Sequence, residues 1–278
     1  MNNLEHSKEE YLHFVDAAFG IFNDRIGTDY SRENIEVKFI TAENADKEIP
    51  KFLKKYPEAV EEQMLEPGYY EYINAEAFVT SKKSGILIRT DIRESGPWWR
   101  HIMLHEISHI FCTTHELNDG SLFFKKYCLD YAESSIEDGI INAGYAIWRE
   151  FIAEYMATLV DSEIRMMTLK QNEKHINEII SDIEAGVSNV KECIEAVMID
   201  TLCTRDVLDA PDKKAAFEKL GRYKKIQSVS WQALLNTVYD QLHDKNKSVW
   251  EINLDFITTL GSNYLAIRKD VMMQMMDR

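Results

Sequence analysis

The sequence predicts an α+β protein: a small mixed sheet with its helices over residues 1–165, then a mainly α-helical region over residues 166–278. Three observations carry this reading. Ile35, Val37 and Phe39 alternate with polar residues, and a second β-rich stretch follows between Tyr69 and Thr90. From Gly96 onward nearly every segment repeats its apolar residues at three- and four-residue steps. No internal repeat or low-complexity linker interrupts the chain.

Taken in order, Ser7 and Glu10 form a capping box ahead of Tyr11, Phe14, Val15, Ala18, Phe19 and Phe22, whose spacing is helical. Gly27 ends that helix. The strand at 35–39 follows, and then a helical stretch expected to break at Pro50 and Pro57 and to stop at Pro67-Gly68. Tyr69 to Thr80 reads as one strand of a hairpin, residues 81–85 as its turn, and Ile86 to Thr90 as the returning strand. Gly96-Pro97 opens a long helix, proline being well placed in a first turn. Asp119-Gly120, Gly139 and Gly144 read as punctuation. Ile176, Ile179, Ile180, Ile183, Val187, Val190, Ile194 and Val197 form a core stripe of a helical bundle. The Met-rich end, Met272 to Met276, reads as a terminal helix.

Acidic residues outnumber basic ones 47 to 32, for a net charge of −15. That balance argues against nucleic acid and anionic membrane surfaces as partners, since both are recognised through clustered Lys and Arg. The uncharged run Gly139–Trp148 is far short of the ~20 residues a membrane span needs. The acidic N-terminal residues lack the pattern of a secretion signal. A cytoplasmic protein is the expectation, with Cys112, Cys128, Cys193 and Cys203 as free thiols.

One segment carries chemistry. His105-Glu106-x-x-His109 is the H-E-x-x-H pattern. Residues four apart share a helix face, so both imidazoles can converge on one zinc ion. Glu106 follows the first histidine, where its carboxylate can serve a water molecule as general base instead of binding metal. The flanking Ile102, Met103, Leu104, Ile107, Ser108, Ile110 and Phe111 carry no charge. Buried polar groups on such a helix need partners, and a metal ion supplies one. A catalytic zinc wants a third protein ligand. Downstream, Glu150 and Glu154 share one face of an otherwise apolar helix. Glu150 is expected as the third ligand and Glu154 as the group that orients a ligating histidine, with the reverse assignment open.

This pattern resembles the zincin metallopeptidases, in particular their glutamate-ligand branch (gluzincins). There H-E-x-x-H lies on one helix and a glutamate on a later helix completes the site. The order helix, strand, helix, hairpin is also similar to the minimal zincin core, including that of the ImmA/IrrE-like family. The resemblance covers the element order over about residues 7–160 but only two short motifs by residue. Two departures stand out: the second acid is Glu154 where Asp or Asn is commoner, and the stretch from His109 to Glu150 is long.

The resemblance implies one Zn2+ per chain on His105, His109 and Glu150, and hydrolysis of peptide bonds with Glu106 as general base. It implies a peptide or protein substrate that pairs with a sheet edge, for which Ile86–Thr90 is the expected strand. Tyr145, Tyr155 and His115 are alternatives for a second oxyanion donor. The C-terminal helices would recognise the target or mediate self-association.

Two other readings compete. Glu10-x-x-His13 and Glu106-x-x-His109 are each a Glu-x-x-His, the unit of di-iron carboxylate bundles. Alternatively, the chain is a non-catalytic helical interaction module with a structural or vestigial zinc site. His101 is expected to face solvent or cap the helix, and Trp98 and Trp99 to pack its start.

Overall fold

A computed structural model describes residues 7–60, 62–66, 68–92, 96–115, 135–161, 167–186, 189–244 and 252–276. Cys128, the Asp119-Gly120 loop, Pro67 and Val187 lie outside them. The chain is mixed α and β, dominated by helix, with one three-stranded sheet. Its contacts divide into two units. The first comprises Met1–Thr114 and Met156–Ile164, and the second His115–Tyr155 and Arg165–Arg278. Among the described residues, 135–155 thus group with the helical region.

In the first unit, α1 (Lys8–Ile26) begins at the Ser7 capping box, with both reciprocal bonds made, and ends at Gly27 in the left-handed conformation (φ 83°). Its buried face is Tyr11, Val15, Ala18, Phe19 and Phe22. Strand β1 (Ile35–Ile40) buries its two ends, Ile35 and Ile40, while Val37 and Phe39 are half-buried. Simple alternation fails because the strand is covered on both sides. Phe39 meets Tyr11 of α1 at a ring separation of 5.9 Å, while Ile40 joins a cluster with Phe52, Tyr56, Phe78 and Leu87.

Helix α2 (Ala45–Leu53) runs through Pro50, which therefore does not break it, and Pro57 opens a separate 3-10 turn (Pro57–Ala59). The hairpin is shorter than its aromatic content suggests. Tyr69–Tyr72 is a helical turn, α3, and only Ala75–Val79 forms strand β2. Strand β3 (Ser84–Arg89) pairs antiparallel with β2 and parallel with β1, giving the order β1-β3-β2. It is therefore the central strand. This corrects the expectation that 86–90 is an edge, because both ladders of β3 are taken. Gly85 in β3 lets Tyr56 lie on the strand: a methyl group there would overlap the Tyr56 hydroxyl and ring.

Helix α4 (Gly96–Thr114) opens at Gly96-Pro97 as expected and packs on α1 and β2. Trp99 is buried edge-on against Tyr11, with ring centroids 5.1 Å apart, so it does secure the helix start. Helix α5 (Ile136–Val160) follows, and the division between the units falls inside it, after Tyr155.

The second unit adds α6 (Leu169–Ala185), α7 (Val190–Leu202), α8 (Arg205–Leu208), α9 (Lys213–Leu220), α10 (Val229–His243) and α11 (Leu254–Met276). Thr168 and Gln171 form a second capping box, and Gly186 ends α6 at φ 69°. Of the expected stripe, Ile176, Ile180, Ile183, Ile194 and Val197 are buried and Ile179 and Val190 half-buried. Gly139 and Gly144 do not interrupt the chain; both lie inside α5. Gly144 serves a close crossing. A methyl group there would fall on the carbonyl oxygen of Ile257 in α11, and one at Gly261 on that of Ile140. Trp148 meets Phe256 edge-on beyond this crossing, ring centroids 4.9 Å apart. At the end of α11, Val271 is buried while Met272, Met273 and Met276 are exposed.

Candidate metal centre

Helix α4 carries its histidines as the four-residue spacing demands. The Nε2 atoms of His105 and His109 are 3.1 Å apart, with the rings nearly perpendicular (81°). Two nitrogens bound to one tetrahedral zinc at about 2.0–2.1 Å are separated by about 3.3 Å, so this spacing fits a shared cation. Both histidines are half-buried. Glu106, between them in sequence, is only 7% exposed.

Glu150 lies on α5. One ligand atom from each of His105, His109 and Glu150 lies within 4.8 Å of the others. Among the described residues no other set of three or more His, Cys, Asp or Glu meets in this way. Two imidazole nitrogens and a carboxylate are a donor set that suits zinc. Arg149 Nε and Nη2 lie 3.2 and 3.1 Å from Glu150 Oε1. Glu154, one turn further along α5, is 5% exposed and outside the three-residue group.

Other residues take places that sequence did not indicate. His101 is 7% exposed, so it neither caps the helix nor faces solvent; one turn ahead of His105, it enters the buried side of α4. His115 follows α4 as an exposed residue. Tyr145 is buried. Tyr155 is buried as well, and burial, with the neighbouring Cys203 and Tyr239, pushes its hydroxyl up to about 12. It therefore stays a proton donor at neutral pH. Glu10 is committed elsewhere, since its Oε2 accepts the Ser7 backbone N–H at 2.6 Å. That removes a carboxylate which the di-iron arrangement would need. Cys112 is a free, buried thiol, and burial raises its pKa far above the usual thiol range.

Two features escaped the sequence reading. One is Glu195 of α7, 7% exposed, whose carboxyl is pushed up to about 8. Burial is the main cause; Lys191 and Arg149 oppose it, while the charges of Glu150 and Glu192 add to it. Its only sequence signal is the i,i+4 spacing from Lys191, which reads as an ordinary surface pair. The other is the charge pair Arg100 and Asp161, whose Nε and Oδ2 lie 2.6 Å apart.

Comparison with protein families, characterised proteins and solved structures finds no match to this chain. No helix among the described residues is long and apolar enough to cross a membrane.

Proposed function

We propose that the protein is a zinc-dependent metallopeptidase of zincin type, with His105, His109 and Glu150 as ligands and Glu106 as general base. The convergence of the three donor atoms within 4.8 Å carries the reading. Zinc held there would acidify a water molecule and polarise the carbonyl of a scissile peptide bond. Glu106 has one role that fits its position. Glu106 follows the ligand His105 in sequence and is outside the ligand group, so it would accept a proton from the attacking water and return it to the leaving amine.

The substrate would be an extended peptide added along β2. β2 is an edge of the sheet, runs antiparallel to β3 and packs against α4, the helix that carries His105 and His109. It replaces Ile86–Thr90 in that role. Glu154, buried on the same helix as Glu150, is assigned to orienting a ligand.

The test combines metal content with cleavage of a peptide library, using wild type, Glu106→Gln, Glu150→Ala and Glu154→Ala. Wild type should hold one zinc per chain. Glu150→Ala should lose it and Glu154→Ala largely keep it. Glu106→Gln should keep zinc while cleavage falls at least about a hundredfold. Wild type without zinc after remetallation, or full cleavage by Glu106→Gln, would refute the reading.

A further inference from the structure

We propose that Glu76 selects the substrate, favouring a peptide with Lys or Arg at the residue that lies opposite it along β2. The proposal rests on the peptidase reading above and names the substrate class of that same site. The hydrogen bonds of the hairpin fix which groups β2 offers. Arg89 N–H donates to Asn74 O, and Thr80 N–H to Lys83 O, each at 2.9 Å. Between these two bonds the register pairs Glu76 with Leu87 and Phe78 with Gly85. Hydrogen-bonded pairs recur at every second residue of an antiparallel ladder, so Glu76 and Phe78 direct their backbone groups to β3.

The residues between them do the opposite. Ala75, Ala77 and Val79 turn N–H and C=O to the outer edge of the sheet. Among the described residues no hydrogen bond from outside the sheet reaches those groups. Such a row is a template for one more strand. An added antiparallel strand, the commoner arrangement, would bond to Ala75, Ala77 and Val79. Its residues opposite Glu76 and Phe78 would then stand in the close, non-hydrogen-bonded pairs, with Cα atoms about 4.5 Å apart and side chains in direct contact.

Of those two positions only Glu76 can discriminate by charge. It is the one charged residue of β2 and is half-buried, whereas Phe78 is fully buried in a cluster with Phe52, Tyr56 and Leu87. A lysine or arginine opposite Glu76 gains the attraction of an opposite-charge cross-strand pair, and an aspartate or glutamate there meets a like charge. Ala75 and Ala77 offer the intervening substrate residues nothing beyond a methyl group. The edge thus accepts extended backbone of any sequence and reads charge at one place.

The experiment uses the full chain as wild type, Glu76→Gln and Glu76→Lys, with a peptide library carrying Lys, Ala or Glu at each position in turn. Wild type should prefer Lys over Glu by about two- to fivefold at one fixed position relative to the cleaved bond. Glu76→Gln should remove that preference and Glu76→Lys reverse it, with the change in KM and not in kcat. In parallel, amide hydrogen exchange is followed by NMR on Glu106→Gln with the Lys-containing peptides. Slower exchange at Ala75, Ala77 and Val79, with Glu76 and Phe78 unchanged, supports the added strand. Cleavage without a charge preference, or a preference that both Glu76 variants keep, would overturn the proposal and leave the peptidase reading intact. Where nothing is cleaved, exchange decides: protection of the three amides that Glu76→Lys abolishes keeps the peptide site while the peptidase reading fails, and absence of protection overturns both.

Discussion

The two long helices α4 and α5 bury apolar faces of similar character but are anchored by different means. In the first unit, α4 is held by side chains: Trp99 on Tyr11, Phe111 on Phe22 (5.8 Å between rings), Arg100 on Asp161 and Cys112 on Met156. In the second unit, α5 is held at its middle by backbone, where Gly144 and Gly261 admit the carbonyls of Ile257 and Ile140. Side-chain contacts can readjust by rotation, so trimming one costs a graded amount. A backbone crossing has no such freedom. The helix carrying Glu150 is therefore fixed more stiffly at Gly144 than the histidine helix is at any one residue.

The sharpest way to break this contrast is a single methyl group. Gly144→Ala or Gly261→Ala should each destabilise the chain by about 3 kcal/mol or more, or prevent folding, because neither carbonyl can move without moving its helix. Cys112→Ala on α4 removes only one buried sulfur and should cost about 1–2 kcal/mol. Urea unfolding curves measure both. Equal costs would mean that the α5–α11 crossing relaxes as readily as a side-chain contact.

That crossing also explains what could be read in advance. Features set by neighbours in sequence were legible: the Ser7–Glu10 cap, the Gly27 stop, the opening of α4 at Gly96-Pro97 and the common face of His105 and His109. Features set by distant parts of the chain were not. Gly144 looks like punctuation until α11 is laid across it. The aromatic run 69–80 contains too little strand to show that β3 takes the centre of the sheet, since strand order depends on the parallel pairing of β1. His101 looked exposed because its own helix does not reveal what covers it. Asp161 and Arg100 are ordinary charges in sequence, sixty-one positions apart, and only their meeting makes them a pair.

A smaller effect separates the units by their buried charge. In the first, Asp161 has its countercharge at 2.6 Å; in the second, Glu195 has Lys191 no closer than 3.9 Å, and burial raises its pKa from 4.5 to about 8. Between these values the folded chain keeps a proton that the unfolded chain has released, so stability must fall as pH rises through that window. The slope from one such proton is at most about 1.4 kcal/mol per pH unit. Below pH 4.5 both states are protonated and the effect vanishes. Glu195→Gln cannot ionise and should flatten the decline, becoming more stable than wild type toward the alkaline end. Unfolding free energies across the window, with chelator present, test this; an unchanged slope in Glu195→Gln would assign the pH dependence elsewhere.

The smallest expected effect sets the two capping boxes side by side. Ser7 Oγ accepts from Glu10 N at 3.2 Å and Thr168 Oγ1 from Gln171 N at 3.3 Å, so the two caps match in geometry. Ser7→Ala and Thr168→Ala should each cost about 1 kcal/mol. The return bond differs in charge, for the Ser7 N–H meets the carboxylate of Glu10 at 2.6 Å and the Thr168 N–H the neutral amide of Gln171 at 2.8 Å. A carboxylate at a helix start also gains from the helix dipole, and added salt screens that gain. Glu10→Ala should therefore lose part of its cost in high salt, whereas Gln171→Ala should cost the same at either salt level. Matching salt dependence in the two variants would show that Glu10 acts through its hydrogen bond alone, with its charge contributing nothing to α1.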